Sequence, residues 1–371
     1  MCPTTYIVII FGFKLIKTCQ MSIFKKIVFW GFYVFFLVLI VEVGLRVFDY
    51  VHLNSIFYDD SYNRFRGVPN APDYDFKLNS KGFKDVEFPV EKSHKYRILG
   101  IGDSFAYGVV PYQNNYLTLL EQSLTEQKKD VEIFNMGIPF TCPVDYLSIL
   151  VDEGLAYKPD MVLLSFYVGN DYLKVDKRIR LNGKIRLKNL YNYSYVTTLL
   201  YYLYTLQTKT FSGLIVHGKS VYCDTCASKP HEHYVASQIG KTFVFEKESE
   251  AFKYHSTVSW EYIEKIKTLC DRKKIKLVVA ILPDEMQVNE TLRDEVMLKQ
   301  SPPFKKELWT NDQPNTFMAN KLKNAQIPYI NLYETFLKES KSKPLYKPED
   351  SHWNIAGNNL AATTILDSLN K

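Results

Sequence analysis

The first hydrophobic feature along the chain is a long one. From Lys25, the stretch KKIVFWGFYVFFLVLIVEVGLRVFDY carries no charge between Ile27 and Val41 and reaches Leu45 with only Glu42 interrupting. At about 1.5 Å per residue this run nearly covers a hydrocarbon core of roughly 30 Å. The pattern predicts one membrane-spanning helix over 27–47, with tilt and the snorkelling of Glu42 and Arg46 making up the remainder. A signal-peptide core is the rival reading, but the run is long for one and no small-residue cleavage site follows it. Lys14, Lys17, Lys25 and Lys26 precede the span, and Arg46 alone follows closely. The positive-inside rule then puts residues 1–26 in the cytoplasm and everything after Asp49 on the other side. Met21 opens MSIFKK, an ordinary start for such an anchor, so the residues before it are not read as a second span.

Residues 48–95 are polar, contain Pro and Asn, and include NSKGFKD from Asn79; they read as a stalk and lead-in. From Tyr96 the pattern changes to apolar runs alternating with amphipathic stretches. YRILGIG (Tyr96 to Gly102) is a nearly continuous apolar run of the kind buried on both faces of a parallel sheet. NNYLTLLEQSLTEQ follows with Leu117, Leu120 and Leu124 at helical spacing. Then come the strand EIFN from Glu132, a helix from about Val144 to Ala156, and the strand MVLLSFYV from Met161. Farther on, the helix WEYIEKIKTLCDRKK leads into the strand KLVVAIL from Lys276, IPYINL from Ile327 supplies a last strand, and a helix runs from about Asn354 to Leu369. Strict alternation means parallel pairing with right-handed crossovers. The predicted architecture over 96–371 is a flavodoxin-like three-layer α/β/α sandwich with a mainly parallel five-stranded sheet.

Residues 173–259 interrupt the alternation and read as an inserted subdomain. RIRLNGKIRL is two alternating runs joined by Asn182-Gly183, a strong hairpin signal, and it sets Arg178, Arg180, Lys184 and Arg186 on one face. That face would suit anionic polysaccharide or lipid headgroups, but an ordinary solvated surface is the preferred reading. YVTTLLYYLYTL is an apolar helix that packs on the sheet or lies near the membrane.

Composition adds little. The chain has 371 residues and a net charge of +6 from 46 basic and 40 acidic side chains, too small an excess to favour nucleic acid as a partner. Six cysteines are too few and too unevenly spaced for a disulfide scaffold. Cys223, Cys226, His231 and His233 in CDTCASKPHEHY could ligate zinc, but the two histidines are too close for the common patterns, and a local disulfide or free thiols are the preferred readings.

In open α/β sheets ligands bind beyond the carboxyl ends of the strands, so the residues that follow each strand carry the chemistry. Gly102-Asp103-Ser104 follows the first strand, NMGIPFTC from Asn135 the second, and Gly169-Asn170-Asp171 the third; PEDSHWNIAGN sets Asp350 and His352 ahead of the last helix. A hydroxyl nucleophile, a base, a carboxylate to orient the base and amide donors for an oxyanion are what acyl transfer requires. Each could instead be a helix cap or a turn residue, but all of them arriving in order at one sheet edge is a stronger pattern than any alone.

On these blocks the sequence resembles the SGNH, or GDSL-type, hydrolase superfamily from about Asn79 to the C-terminus. The resemblance implies Ser104 as nucleophile, His352 as general base, Asp350 as the group orienting the imidazole, and Asn170 with the Ser104 backbone N–H as oxyanion donors. Glu349 is an alternative orienting acid. The family usually supplies a further backbone donor from a glycine in its second block, where this chain has Phe140. Glycine's freedom at positive φ is then lost, so either Gly137 takes over with a shifted loop or Phe140 donates from a conformation open to any residue. The absence of G-x-S-x-G argues against a standard α/β-hydrolase elbow. The chemistry implied needs no metal and no cofactor. The expectation is a membrane-anchored serine esterase acting outside the cytoplasm on O-acyl esters, an acylated carbohydrate among them. An O-acyltransferase of the same fold and a non-catalytic glycan-binding or assembly component are its rivals.

Overall fold

The structure is a computed structural model, and it describes residues 23–51, 60–173, 194–205 and 213–370. They fall into two compact units, Met1–Phe57 with Ile185–Thr208 and Tyr58–Lys184 with Lys209–Lys371. The principal strands are β1 (Tyr96–Ile101), β2 (Val131–Asn135), β3 (Met161–Tyr167), β4 (Lys276–Leu282) and β5 (Tyr329–Asn331). The helices are α1 (Ile23–Val51), α2 (Ser104–Tyr107), α3 (Tyr116–Glu126), α4 (Pro143–Asp152), α5 (Tyr195–Thr205), α6 (His231–Ile239), α7 (Glu250–Lys273), α8 (Glu285–Val288), α9 (Glu290–Lys299), α10 (Gln313–Asn324), α11 (Tyr333–Glu339) and α12 (Ile355–Leu369).

In the larger unit the five strands pair in the order β2-β1-β3-β4-β5, all parallel. Side-chain alternation sorts the two faces. A Cβ at Gly100 would run into Leu117 of α3, whereas Leu99 reaches the opposite side, toward Leu150 of α4 and Gly154. One face is a core of Ile98, Leu117, Leu120, Ile133, Leu163, Val278, Ile330, Phe336, Ala361 and Ile365 from the sheet and from α3, α11 and α12. The other face buries Leu99, Val162 and Leu164, and α4 packs there beside α7, whose Trp260 and Ile263 are also buried. This is the expected three-layer sandwich, with its strand-order reversal between β1 and β3. That reversal is where such a sheet opens a crevice.

Helix α7 begins at Glu250 rather than at Trp260, because Ser249 caps it by accepting from the Phe252 N–H at 3.3 Å. The lead-in is not a free-standing stalk over its described residues. Tyr62, Leu78, Phe83, Lys84 and Asp85 are buried. The Asn79 side-chain oxygen accepts from the N–H groups of Lys81 and Phe83, and the Lys84 ammonium donates to the carbonyls of Gly108 and Val110 at 2.8 and 2.6 Å. Lys84 also pairs with Asp73, which accepts from Tyr107 of α2. Such a segment is held by side-chain-to-backbone bonds, so it leaves no periodic signature.

In the smaller unit, α1 is the one helix among the described residues long and apolar enough to cross a membrane. Its single mid-run acid has a structural task. Glu42 accepts from the Ser194 hydroxyl and from the N–H groups of Tyr195 and Val196 at 2.9, 2.9 and 3.0 Å, capping the start of α5, while Arg46 pairs with it one turn along. The RIRLNGKIRL hairpin with its four basic residues and the segment ahead of Met21 lie outside the described residues.

Candidate active site

Strand β1 delivers the first residues of the site. After Ile101 the chain turns at Gly102, where a Cβ would lie 2.9 Å from that of Ala106 and 3.0 Å from that of Ser165, too close for a larger residue without a shift. Asp103 then caps α2 by accepting from the Phe105 N–H at 2.9 Å. Ser104 is the first residue of that helix, so its own N–H has no intrahelical acceptor, and it has no hydrogen-bond partner among the described residues.

His352 approaches from the loop before α12. Its Nε2 lies 2.7 Å from Ser104 Oγ, and its Nδ1 lies 2.5 Å from Asp350 Oδ1. Asp350 is acceptor-only when ionised, so Nδ1 carries the proton and Nε2 presents its lone pair to the serine hydroxyl. Asp350 also accepts from the His352 backbone N–H at 3.2 Å and, through Oδ2, from Ser228 Oγ at 2.8 Å. Burial alone would raise the Asp350 carboxyl, but the His352 imidazole, the His352 backbone N–H and the Ser228 hydroxyl hold it well below the usual carboxylate range. Glu349, the alternative acid, turns elsewhere. It adopts φ 53° and meets His231 Nδ1 at 2.9 Å, and the other nitrogen of that ring meets Glu295.

Asn170 sits in the turn after β3. Its Nδ2 donates to Asp103 Oδ2 at 2.7 Å, which spends one of its two N–H bonds and fixes the amide beside the serine turn. Gly137 has no free donor to offer an oxyanion. Its N–H is taken by Asn135 Oδ1 at 2.9 Å, and the residue is glycine because a Cβ would lie 2.2 Å from the Tyr107 nitrogen. The expectation for Phe140 is also corrected. The residue neither loses the left-handed conformation nor adopts one open to any side chain: its φ is 63°. The phenyl ring is 51% exposed, with its centroid 5.4 Å from that of Phe65. Ile138 N–H and Thr141 Oγ1, bonded to the Gly102 carbonyl at 3.1 and 3.3 Å, hold this loop against the turn that carries Ser104.

Cys223 and Cys226 are joined in a disulfide, which removes both thiols from any zinc donor set, and His231 is occupied by its two carboxylates. Among the described residues no three His, Cys, Asp or Glu side chains are grouped to hold a metal ion. Two supporting residues escape the sequence reading. Asp103 is visible as an acid before a short helix, but its bond to Asn170 is not. Ser228 lies in the insertion, where no motif marks it.

Residues 243–371 match a family model described as SGNH hydrolase-like domain, acetyltransferase AlgX. No curated protein matches the chain by sequence. Among solved structures, an acetyl xylan esterase aligns over 74% of this chain and 99% of its own, at 12% identity and a TM-score of 0.41. A lipase/acylhydrolase from Enterococcus faecalis aligns over 74% of this chain and 94% of its own, at 15% identity and a TM-score of 0.40. A two-domain esterase active on acetylated mannans aligns over 74% of this chain and 49% of its own, at 12% identity and a TM-score of 0.39. The family match covers the segment that carries Asp350 and His352, so residues 243–371 are similar to an SGNH hydrolase-like domain.

Proposed function

We propose that this protein is a serine-dependent acyl-transferring enzyme in which Ser104 is the nucleophile, His352 the general base and Asp350 the group that orients it. The observation that carries the reading is the unbroken chain from Ser104 Oγ to His352 Nε2 at 2.7 Å and from His352 Nδ1 to Asp350 Oδ1 at 2.5 Å. Ser104 Oγ attacks the acyl carbonyl carbon while its proton passes to His352 Nε2. The oxyanion that forms is met by the Ser104 N–H, the remaining Nδ2 proton of Asn170 and the backbone N–H of Phe140. Left-handed geometry at Phe140 gives the loop the conformation that glycine would otherwise provide. The tetrahedral adduct collapses, the leaving alkoxide takes the proton back from Nε2, and an acyl-serine remains.

Water attacking the acyl-serine makes the enzyme an esterase; a sugar hydroxyl in the same place makes it an O-acyltransferase. Hydrolysis of O-acyl esters, with acylated carbohydrate of the cell envelope as the substrate class, is the principal reading. The transferase reading is kept because the matching family model is described as an acetyltransferase. Anchoring by α1 with the catalytic unit outside the cytoplasm belongs to the same proposal. It is supported by the length and apolarity of α1 and by the Cys223–Cys226 disulfide, which suits an oxidising space.

A fluorophosphonate probe tests the chemistry. Wild type is expected to label and Ser104→Ala is not; no labelling of wild type, or equal labelling of the variant, removes the claim to catalysis and leaves a binding component. Following a labelled acetyl group with and without an acetylated glycan then separates release to water from transfer to a hydroxyl.

A further inference from the structure

A buried ion pair lies beside the site, and the reaction proposed above does not use it. Lys241, in the turn after α6, places its ammonium 3.0 Å from Asp284 Oδ2; the carboxylate is fully buried and the lysine nearly so. Charges removed from water persist only when paired and hydrogen-bonded on every side. Here Asp284 Oδ2 also accepts from the Tyr167 hydroxyl at 2.5 Å, and Oδ1 accepts from the Met286 N–H at 2.9 Å as the cap of α8. The remaining Lys241 donors go to the Tyr167 hydroxyl at 3.2 Å and to Ser351 Oγ at 3.0 Å.

These three side chains touch all three segments that carry the proposed chemistry. The Tyr167 ring lies 4.2 Å from that of Phe105, the residue after Ser104. Gly169, the residue before Asn170, rests on the pair itself: a Cβ there would come within 2.3 Å of Asp284 Oδ2 and 2.4 Å of the Tyr167 hydroxyl. Ser351, which receives the Lys241 bond, stands between Asp350 and His352 in the chain. A purely architectural role would be served as well by apolar side chains of similar volume. The lysine bond to the one hydroxyl between the acid and the base argues for placement of that loop.

We propose that Lys241, held by Asp284 and Tyr167, is a positioning residue: through Ser351 it fixes the Asp350–His352 loop against the Ser104 and Asn170 turns. This rests on the serine-acyl reading. A displacement of about 1 Å in reacting groups can cost on the order of a hundredfold in rate, so loosening one side of the loop is expected to cost roughly ten- to a hundredfold in kcat. The test uses the full chain purified in detergent, 4-nitrophenyl acetate as the ester and the fluorophosphonate as a second readout.

Ser351→Ala removes the acceptor of the lysine bond, together with the longer bond that the hydroxyl donates to Gln238 Oε1 at 3.4 Å. It is expected to lower kcat and the labelling rate together, with KM and thermal midpoint near those of wild type. Lys241→Met is expected to show the same deficit, and the double variant no greater one, because the two residues act through one bond. If Lys241→Met does not fold for want of a partner to Asp284, Lys241→Met with Asp284→Asn supplies the comparison and is expected to show the same kcat. Wild-type kcat in Ser351→Ala, or additive losses in the cycle, overturns the positioning role while leaving the triad untouched. A wild type that neither hydrolyses the ester nor takes the probe overturns the acyl reading, and the role of Lys241 with it.

Discussion

Asn170 donates to Asp103 at 2.7 Å, so the amide proposed to stabilise an oxyanion is held by the residue immediately before the proposed nucleophile. The same carboxylate caps α2 through the Phe105 N–H. Asp103→Asn keeps the size and one acceptor but sets an amide N–H toward the Asn170 N–H. Loss of one oxyanion donor typically costs about 10²–10³ in kcat. Asp103→Asn is therefore expected to fall by roughly tenfold or more, with KM little changed, because Asn170 is misplaced rather than removed. Steady-state kinetics check this, and a variant with wild-type kcat would detach Asp103 from the site.

Phe140 predicts an unusual order of stabilities. Its φ of 63° costs a residue bearing a Cβ about 1–2 kcal/mol relative to glycine, and its ring returns part of that against Phe65. Phe140→Ala loses the ring and keeps the strain, while Phe140→Gly loses both. Phe140→Gly is expected to be the more stable of the two by about 1 kcal/mol, the reverse of the usual ranking, and both should keep the backbone donor and much of the activity. Denaturant midpoints of the pair settle the order.

Glu285 makes the larger unit sensitive to pH in a defined direction. Burial pushes its carboxyl up to about 7, against the opposing bonds from Tyr234 and Asn289. The native state then holds a proton that the unfolded state has released between about pH 4.3 and 7, so this group's contribution to stability falls as pH rises through that window and is level outside it. Over the whole window the loss is about 4 kcal/mol. Glu285→Gln has no charge to bury and retains an acceptor for Asn289. Thermal melts from pH 4.5 to 8 should show the variant gaining on wild type as pH rises; parallel curves would remove Glu285 from the account.

The Cys223–Cys226 disulfide stands just ahead of Ser228, which donates to Asp350, and encloses Asp224, which accepts from the Ile355 N–H at the start of α12. Closing so short a loop contributes about 2 kcal/mol in the chain-entropy account. Cys223→Ser with Cys226→Ser is expected to lower the thermal midpoint by a few degrees and kcat by a small factor. A reducing agent should do the same to wild type and nothing further to the double variant.

The sequence by itself determined the strands and their parallel pairing. Runs such as KLVVAIL from Lys276 are apolar on both faces, and only a parallel sheet covered on both sides buries them. It also placed Ser104, Asn170, Asp350 and His352 at strand and helix ends, since the rule that ligands gather at the carboxyl ends of parallel strands needs only the order of elements. It could not read the lead-in, because Lys84 and Asn79 are held by backbone carbonyls and N–H groups that no periodicity announces. Nor could it see that Asn135 takes the Gly137 N–H or that Phe140 adopts a left-handed backbone, since both depend on how the loop folds against the sheet. The supports of the site, Asp103 on Asn170, Ser228 on Asp350 and Lys241 on Ser351, join residues 67, 122 and 110 positions apart. Bonds of that span exist only once the chain has folded, because each depends on the direction of a side chain across a packed interface rather than on its neighbours in sequence.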